Sequence, residues 1–210
     1  MIEQQNIDLN SMKERENNLV HLSSPQHLPW SGIQSLAPFE SIALAVDVRD
    51  DVYILDGSLI ENAHENRAGS FLRRSALCIF EAGATGALLF INRDMLDGEC
   101  KPETLAEHDL VWFPGHLPGM SVAHLAQSPH QLSLVLWQPG TRVHAHTHTF
   151  GEEILVLKGE LCDEKGTYPA GCWLRFLPDS GHAPFAEQET LILLRNGHLR
   201  DSKAPPLHYV

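Results

Sequence analysis

The 210-residue sequence predicts an all-β protein: two similar β-barrel units in tandem behind a short N-terminal arm. Three observations carry this. Short apolar runs (SIALAV, DVYILDG, ALLFI, LSLVLW, EILVLKG, TLILLR) are rich in β-branched and long aliphatic residues. Gly, Pro, Asn and Asp interrupt them at the spacing of a barrel or sandwich. The sequence also repeats itself at an offset of 102, which suggests a duplicated unit. Finally, 43% of the residues are apolar, and the length suits two compact domains with real cores.

The elements follow in chain order. Residues 1–19 are charged and amide-rich, and read as an arm, loose or in a short helix. The first unit spans 20–94. A polar linker spans 95–111, and PETLAEHD within it, with proline at a helix start, predicts a helix over Lys101 to His108. The second unit spans 112–210. In the repeat, DDVYILDGSL (Asp50 to Leu59) falls on EEILVLKGEL (Glu152 to Leu161), so that Gly57 meets Gly159 and Leu59 meets Leu161. Without a gap, AGSFLRR then meets AGCWLRF, with Gly69 on Gly171 and Arg73 on Arg175, and the tail sets Leu89 on Leu191 and Arg93 on Arg195. Glycines in register imply matched turns, because glycine adopts backbone angles that other residues resist.

Composition narrows the function. A formal charge of −12 repels phosphate backbones, so nucleic acid is not an expected partner. No long uncharged apolar run predicts a membrane span, and the polar N-terminus lacks the apolar core of a signal peptide. A cytoplasmic location is expected, and with it free, mostly buried thiols at Cys78, Cys100, Cys162 and Cys172.

The chemistry concentrates in VHAHTHTFGEE. Alternate strand residues share a face, so His146 and His148 point the same way. Glu152 follows a short turn and can swing back beside them, and His182, in PDSGHAPF, supplies one more imidazole from a distant strand. Three neutral imidazoles and a carboxylate form a divalent-metal site suited to zinc first, with iron, manganese, nickel or copper as alternatives. At the repeat offset these four positions become Leu44, Val46, Asp50 and Phe80. Three are apolar, so the first unit is expected to be metal-free, with those side chains filling its interior. His144 shares the histidine face but is not required by the spacing. Glu153 is expected to be solvated or paired. Arg175, at the place of Arg73, is expected in a structural ion pair with Asp163 or Glu164. Trp137 and Trp173 read as core, and the other nine histidines as surface or turn residues. No separate acid–base pair is legible, so no catalytic residue is assigned.

The segment from Gly140 to Gly159 resembles the first signature of cupins: Gly, five residues, His-x-His, three residues, Glu, six residues, Gly. Gly171 and His182 keep the spacing of the second signature, although its proline falls one place late, at Pro178, and its closing asparagine is missing. The wording from Gly151 to Phe185 resembles the ChrR-like branch, named for the cupin domain of a zinc-binding anti-sigma factor. The resemblance implies two cupin barrels (double-stranded β-helices), with the metal in the mouth of the second. In anti-sigma factors a small helical domain with a C-x-x-C grips the sigma factor. This chain has no C-x-x-C and no room for such a domain before residue 20, so a sigma factor is not the expected partner. A small-molecule ligand and a homodimer are expected. The function expected first is a metal-binding sensor or small-molecule-binding protein. The alternatives are a metal-dependent dioxygenase of the diketone or flavonol type, an isomerase, or a storage protein.

Overall fold

A computed structural model describes residues 2–13, 18–24, 26, 28–44, 48–96, 100–127 and 130–199. The fold is all-β, and the chain divides into two compact units, Met1–Ile7 with Val111–Val210, and Asp8–Leu110. No helix among the described residues is long and apolar enough to cross a membrane.

In the unit containing the histidine strand, seven antiparallel strands form one layer, in the order Ile2–Asn6, Cys172–Phe176, Glu152–Lys158, Thr190–Asn196, Gln131–Trp137, Met120–Ala126, Trp112–Pro114. Short pairs lie outside this sheet: His146–His148 with Ser180–His182, and Glu160–Asp163 with Gly166–Pro169. Bridges from Phe185 to Arg142 and to Cys162 link them. Inward residues of the large sheet, among them Val135, Ile154, Val156, Leu174 and Ile192, build the core. The polar strand Ile2–Asn6 is tolerable because it is an edge, with only Ile2 packing on that core. The arm therefore contributes a strand as well as the helix Leu9–Lys13, whose Ser11 amide donates to Asp8 Oδ1 at the helix start.

The unit Asp8–Leu110 has a sheet in the order Asn18–His21, Trp30–Leu36, Cys78–Met95, Val48–Glu61, Phe71–Arg74, Glu103–Leu105. Its two long strands, Val48–Glu61 and Cys78–Met95, shift register around Asp56 and Gly57, and their far ends pair with His64–Arg67 and Ser41–Leu44. Bulges increase local twist and let one strand serve two layers. Leu44, Ile54, Leu59, Phe80 and Leu89 are buried in its core. Val46 lies outside the described residues.

The repeated glycines have repeated geometry. Gly57 and Gly159 have φ of 72° and 74°, and Gly69 and Gly171 of 86° and 88°. The amides of Ala68 and Ala170 donate to the carbonyls of Gly57 and Gly159, and those of Gly69 and Gly171 to the carbonyls of Ile54 and Val156. A Cβ at Gly57 would strike the Gly86 carbonyl, and one at Gly159 the Glu189 carbonyl. Positive φ and backbone collision add, so G57A and G159A are each expected to lower stability by about 1–3 kcal/mol, read as a fall in denaturation midpoint.

Three expectations need correction. The helix over Lys101 to His108 is replaced by a strand, Glu103–Leu105, and a single 3-10 turn, Glu107–Asp109. Pairing with Phe71–Arg73, reinforced by Arg74 donating to the Glu103 carbonyl, outweighs local helix propensity. The ungapped tail of the repeat slips by one: Asn92, not Arg93, lies opposite Asp51 as Arg195 lies opposite Glu153. The position matching His182 slips as well. Leu44 pairs with Cys78 as His146 pairs with His182, so Cys78 rather than Phe80 stands at that place. All four thiols are free, but only Cys162 and Cys172 are buried.

Candidate metal centre

The histidine strand and the Ser180–His182 strand pair directly, with His146 opposite His182. This register brings sequence-distant imidazoles together. Ring centroids of His146, His148 and His182 lie 4.9, 5.1 and 5.0 Å apart, a nearly equilateral triangle. Each ring offers a nitrogen within 4.8 Å of the others. Glu152 opens the next strand and turns its carboxylate to two of them: Oε2 lies 3.4 Å from His148 Nδ1, and Oε1 lies 3.5 Å from His182 Nε2. The four side chains singled out from the sequence thus converge. Phe176 packs beneath them, its ring 4.2 Å from that of His182 and 5.2 Å from that of His148.

The protonation states favour cation binding. His148 is buried, and its Nε2 has no hydrogen-bond partner. Burial pushes its pKa down; the Glu152 charge opposes this, and His182 and His146 add to the lowering, so the ring is held neutral. Neutral imidazole is the form that binds metals. His146 is exposed, and its Nδ1 donates to the His144 carbonyl at 3.0 Å, which leaves Nε2 as the lone-pair nitrogen. His144 contributes this carbonyl, while its own ring is exposed and outside the triangle.

Asp163 is the functional candidate that the sequence reading placed elsewhere. Its Oδ2 lies 3.5 Å from His182 Nδ1, with both side chains buried. Its Oδ1 accepts from the Tyr168 hydroxyl at 2.9 Å and from the amides of Lys165 and Gly166. Burial and this hydrogen bond push the Tyr168 phenol up, so it stays a donor. A carboxylate on the far nitrogen of a ligating histidine fixes its tautomer and orientation. In the other unit the matching carboxylate, Glu61, instead bonds Arg74 at 2.6 Å, and Arg74 stands where Phe176 stands here.

Arg175 pairs with neither Asp163 nor Glu164. Its Nε lies 3.5 Å from Glu153 Oε1, directly across the strands, while Glu164 accepts from the Ala183 amide. Glu153 is buried and also faces Arg195 at 3.5 Å and His198 at 3.4 Å. Burial disfavours its charge, but His198, Arg195 and Arg175 outweigh that and hold the carboxyl far below its usual range. The same pair exists at Asp51 and Arg73, bidentate at 2.6 and 2.7 Å. His130 and His198 are buried rather than surface residues, and His27 and His208 lie outside the described residues. Trp137 and Trp173 are buried as expected.

A cavity of about 710 Å³ opens beside the triangle, bordered by His146, His148, Glu152 and His182 and walled by the sheet interior. Such a centre can polarise oxygen atoms of a small molecule lodged above it.

Residues 101–200 match the ChrR Cupin-like domain model. No curated protein sequence matches the chain. Several solved structures share the fold. One, from Nostoc punctiforme and named a candidate dioxygenase, aligns with TM-score 0.71 and 10% identity, over 99% of this chain and 88% of that one. Salicylate 1,2-dioxygenase from Pseudoaminobacter salicylatoxidans, solved with gentisate, gives TM-score 0.68 and 10% identity over 94% and 81%. A cupin 2 conserved barrel domain protein from Leptotrichia buccalis gives 0.63 and 18% identity over 91% and 95%. The fold is that of the cupins.

Proposed function

We propose that this chain is a bicupin whose C-terminal barrel holds one divalent ion, zinc first, through His146, His148, Glu152 and His182, and offers it to a small molecule in the adjoining cavity. The observation that carries the reading is the triangle of imidazoles at the cavity wall, with the Glu152 carboxylate against two of them and a buried nitrogen of one, His148 Nε2, without a hydrogen-bond partner. Three imidazole nitrogens and one carboxylate suit zinc, and iron, manganese or nickel in second place. A bound ion supplies Lewis acidity toward ligand oxygens. The chain's own part is to hold the donors: the His144 carbonyl orients His146, and Asp163, fixed by Tyr168, orients His182.

The N-terminal barrel serves as a metal-free scaffold. Leu44 is buried core, and Asp50 is committed to Arg93 at 2.6 and 2.8 Å. A site that keeps one carboxylate, and that one paired, does not retain a transition metal.

A sensor or binding protein is the first reading. A dioxygenase acting on diketones or flavonols is the second, supported by the dioxygenases among the structural neighbours and by the exposed His146 edge of the site. Metal analysis of protein purified without added metal separates them. About one equivalent of zinc and no oxygen uptake with 2,4-pentanedione or quercetin supports binding. Iron, manganese or nickel with oxygen uptake supports the enzyme. Protein that retains no divalent metal, and takes none up, removes both.

Asp163→Asn is expected to weaken zinc binding by about 10–100-fold while leaving the barrel folded, measured by competition with a chelating dye and by circular dichroism.

A further inference from the structure

The walls of the cavity change character along the strands. Gln131, Asn196 and Glu152 lie in one cross-strand row, since Gln131 pairs with Asn196 and Asn196 with Glu152. Two residues further along, the row is Ser133, Leu194 and Ile154; two further, it is Val135, Ile192 and Val156. Alternation sends each row to the same face, and all but Val156 line the cavity. The end nearest the imidazoles is therefore edged by two carboxamides, and the rows beyond it are apolar except for Ser133. Gln131 is held in place, its Nε2 lying 3.3 Å from both His124 Nδ1 and Ser133 Oγ.

The charge of the wall is equally specific. Among the described residues, neither lysine nor arginine lines the cavity, and its one acidic side chain is Glu152. The nearby arginines serve the opposite face of the sheet, where Arg175 and Arg195 meet Glu153. Beyond the bound ion, whose charge Glu152 partly offsets, an anionic ligand would find no protein cation in this mostly apolar chamber to match its charge. Carboxamides both donate and accept, and so read hydroxyl and carbonyl oxygens of uncharged molecules.

Resting on the metal centre proposed above, we propose that the ligand is an uncharged molecule with chelating carbonyl or hydroxyl oxygens at one end and an alkyl or aryl body, and that Gln131 and Asn196 read its polar end. The apolar body lies against Val135, Ile192 and Trp137. Anionic acids of the same size are selected against.

The test uses zinc-loaded full-length protein and two probes of nearly identical shape: benzoylacetone, which is neutral, and benzoylacetate, in which a carboxylate takes the place of the acetyl group. Calorimetry should show benzoylacetone binding at least about tenfold tighter. Gln131→Leu and Asn196→Leu should each weaken benzoylacetone by about five- to tenfold, with zinc content measured as a control. Gln131→Arg, which adds the missing cation, should shift the preference toward benzoylacetate. Equal or tighter binding of benzoylacetate by wild-type protein, binding of neither probe, or leucine variants with unchanged affinity would overturn the inference while leaving the metal centre intact. Failure to load zinc would overturn both.

Discussion

Replacing His148 by alanine should strip the protein of its metal while leaving it folded. The ring is buried against Phe176 and its neighbours in the triangle, and Nε2 has no partner in the protein, so its removal deletes a ligand without breaking a hydrogen bond to that atom. Loss of one donor from a four-donor set is expected to weaken zinc binding by more than about 100-fold, because even groups that only orient ligands are worth 10–100-fold. H182A should behave in the same way. His144→Ala should not, because its contribution is a backbone carbonyl that any residue provides. Chelator competition on the three variants, with circular dichroism to confirm folding, checks this contrast. Equal loss in H144A and H148A would show that the histidine strand binds metal loosely along its length rather than in one pocket.

The second large effect concerns stability. Glu153 is the centre of a buried ionic cluster with Arg175, Arg195 and His198. Glu153→Gln keeps the shape but removes the negative charge that faces two guanidinium groups. Breaking a buried pair in this way costs about 3–5 kcal/mol, a fall in Tm on the order of 10 °C for a chain of this size. The sign of the pH dependence follows from the depressed pKa. Above the ordinary value of 4.5 the carboxylate is ionised in both folded and unfolded states, and its stabilisation is present in full. As the pH falls below that value the unfolded chain takes up a proton that the folded one refuses. Stability is then lost progressively toward the depressed folded-state value. The wild type should therefore lose stability in acid more steeply than E153Q, and denaturation followed from pH 6 to pH 3 should show the two curves converging. Parallel curves would mean that Glu153 is not the group that titrates.

Much of the site was legible because its spacing is set by strand geometry. The two-residue period puts His146 and His148 on one face, and the glycines at 57, 69, 159 and 171 mark turns that need positive φ. These residues advertise themselves through backbone constraints, which sequence records directly. What escaped depends on register and on third elements. Asp163 reaches His182 only because Cys162 bridges to Phe185, a long-range pairing with no local signature. Arg175 could have been matched to Glu153 from the repeat alone, since Asp51 and Arg73 stand at the corresponding places; the nearer acids Asp163 and Glu164 were the wrong choice because they lie in a hairpin away from that face. The comparison of Cys78 with His182 required knowing where two extra residues enter the second unit, and such shifts leave the glycine frame untouched. The helix expected over Lys101 to His108 failed for the ordinary reason that three residues of strand pairing outweigh the propensity of a short segment.

Crystals of the zinc-loaded protein, with diffraction recorded on both sides of the zinc absorption edge, would test the central claim most directly. The anomalous difference map should contain one peak per chain, enclosed by His146, His148, Glu152 and His182, and no peak among Leu44, Asp50 and Cys78. A map without density between the three imidazoles, or with an ion seated in the N-terminal barrel, would contradict it.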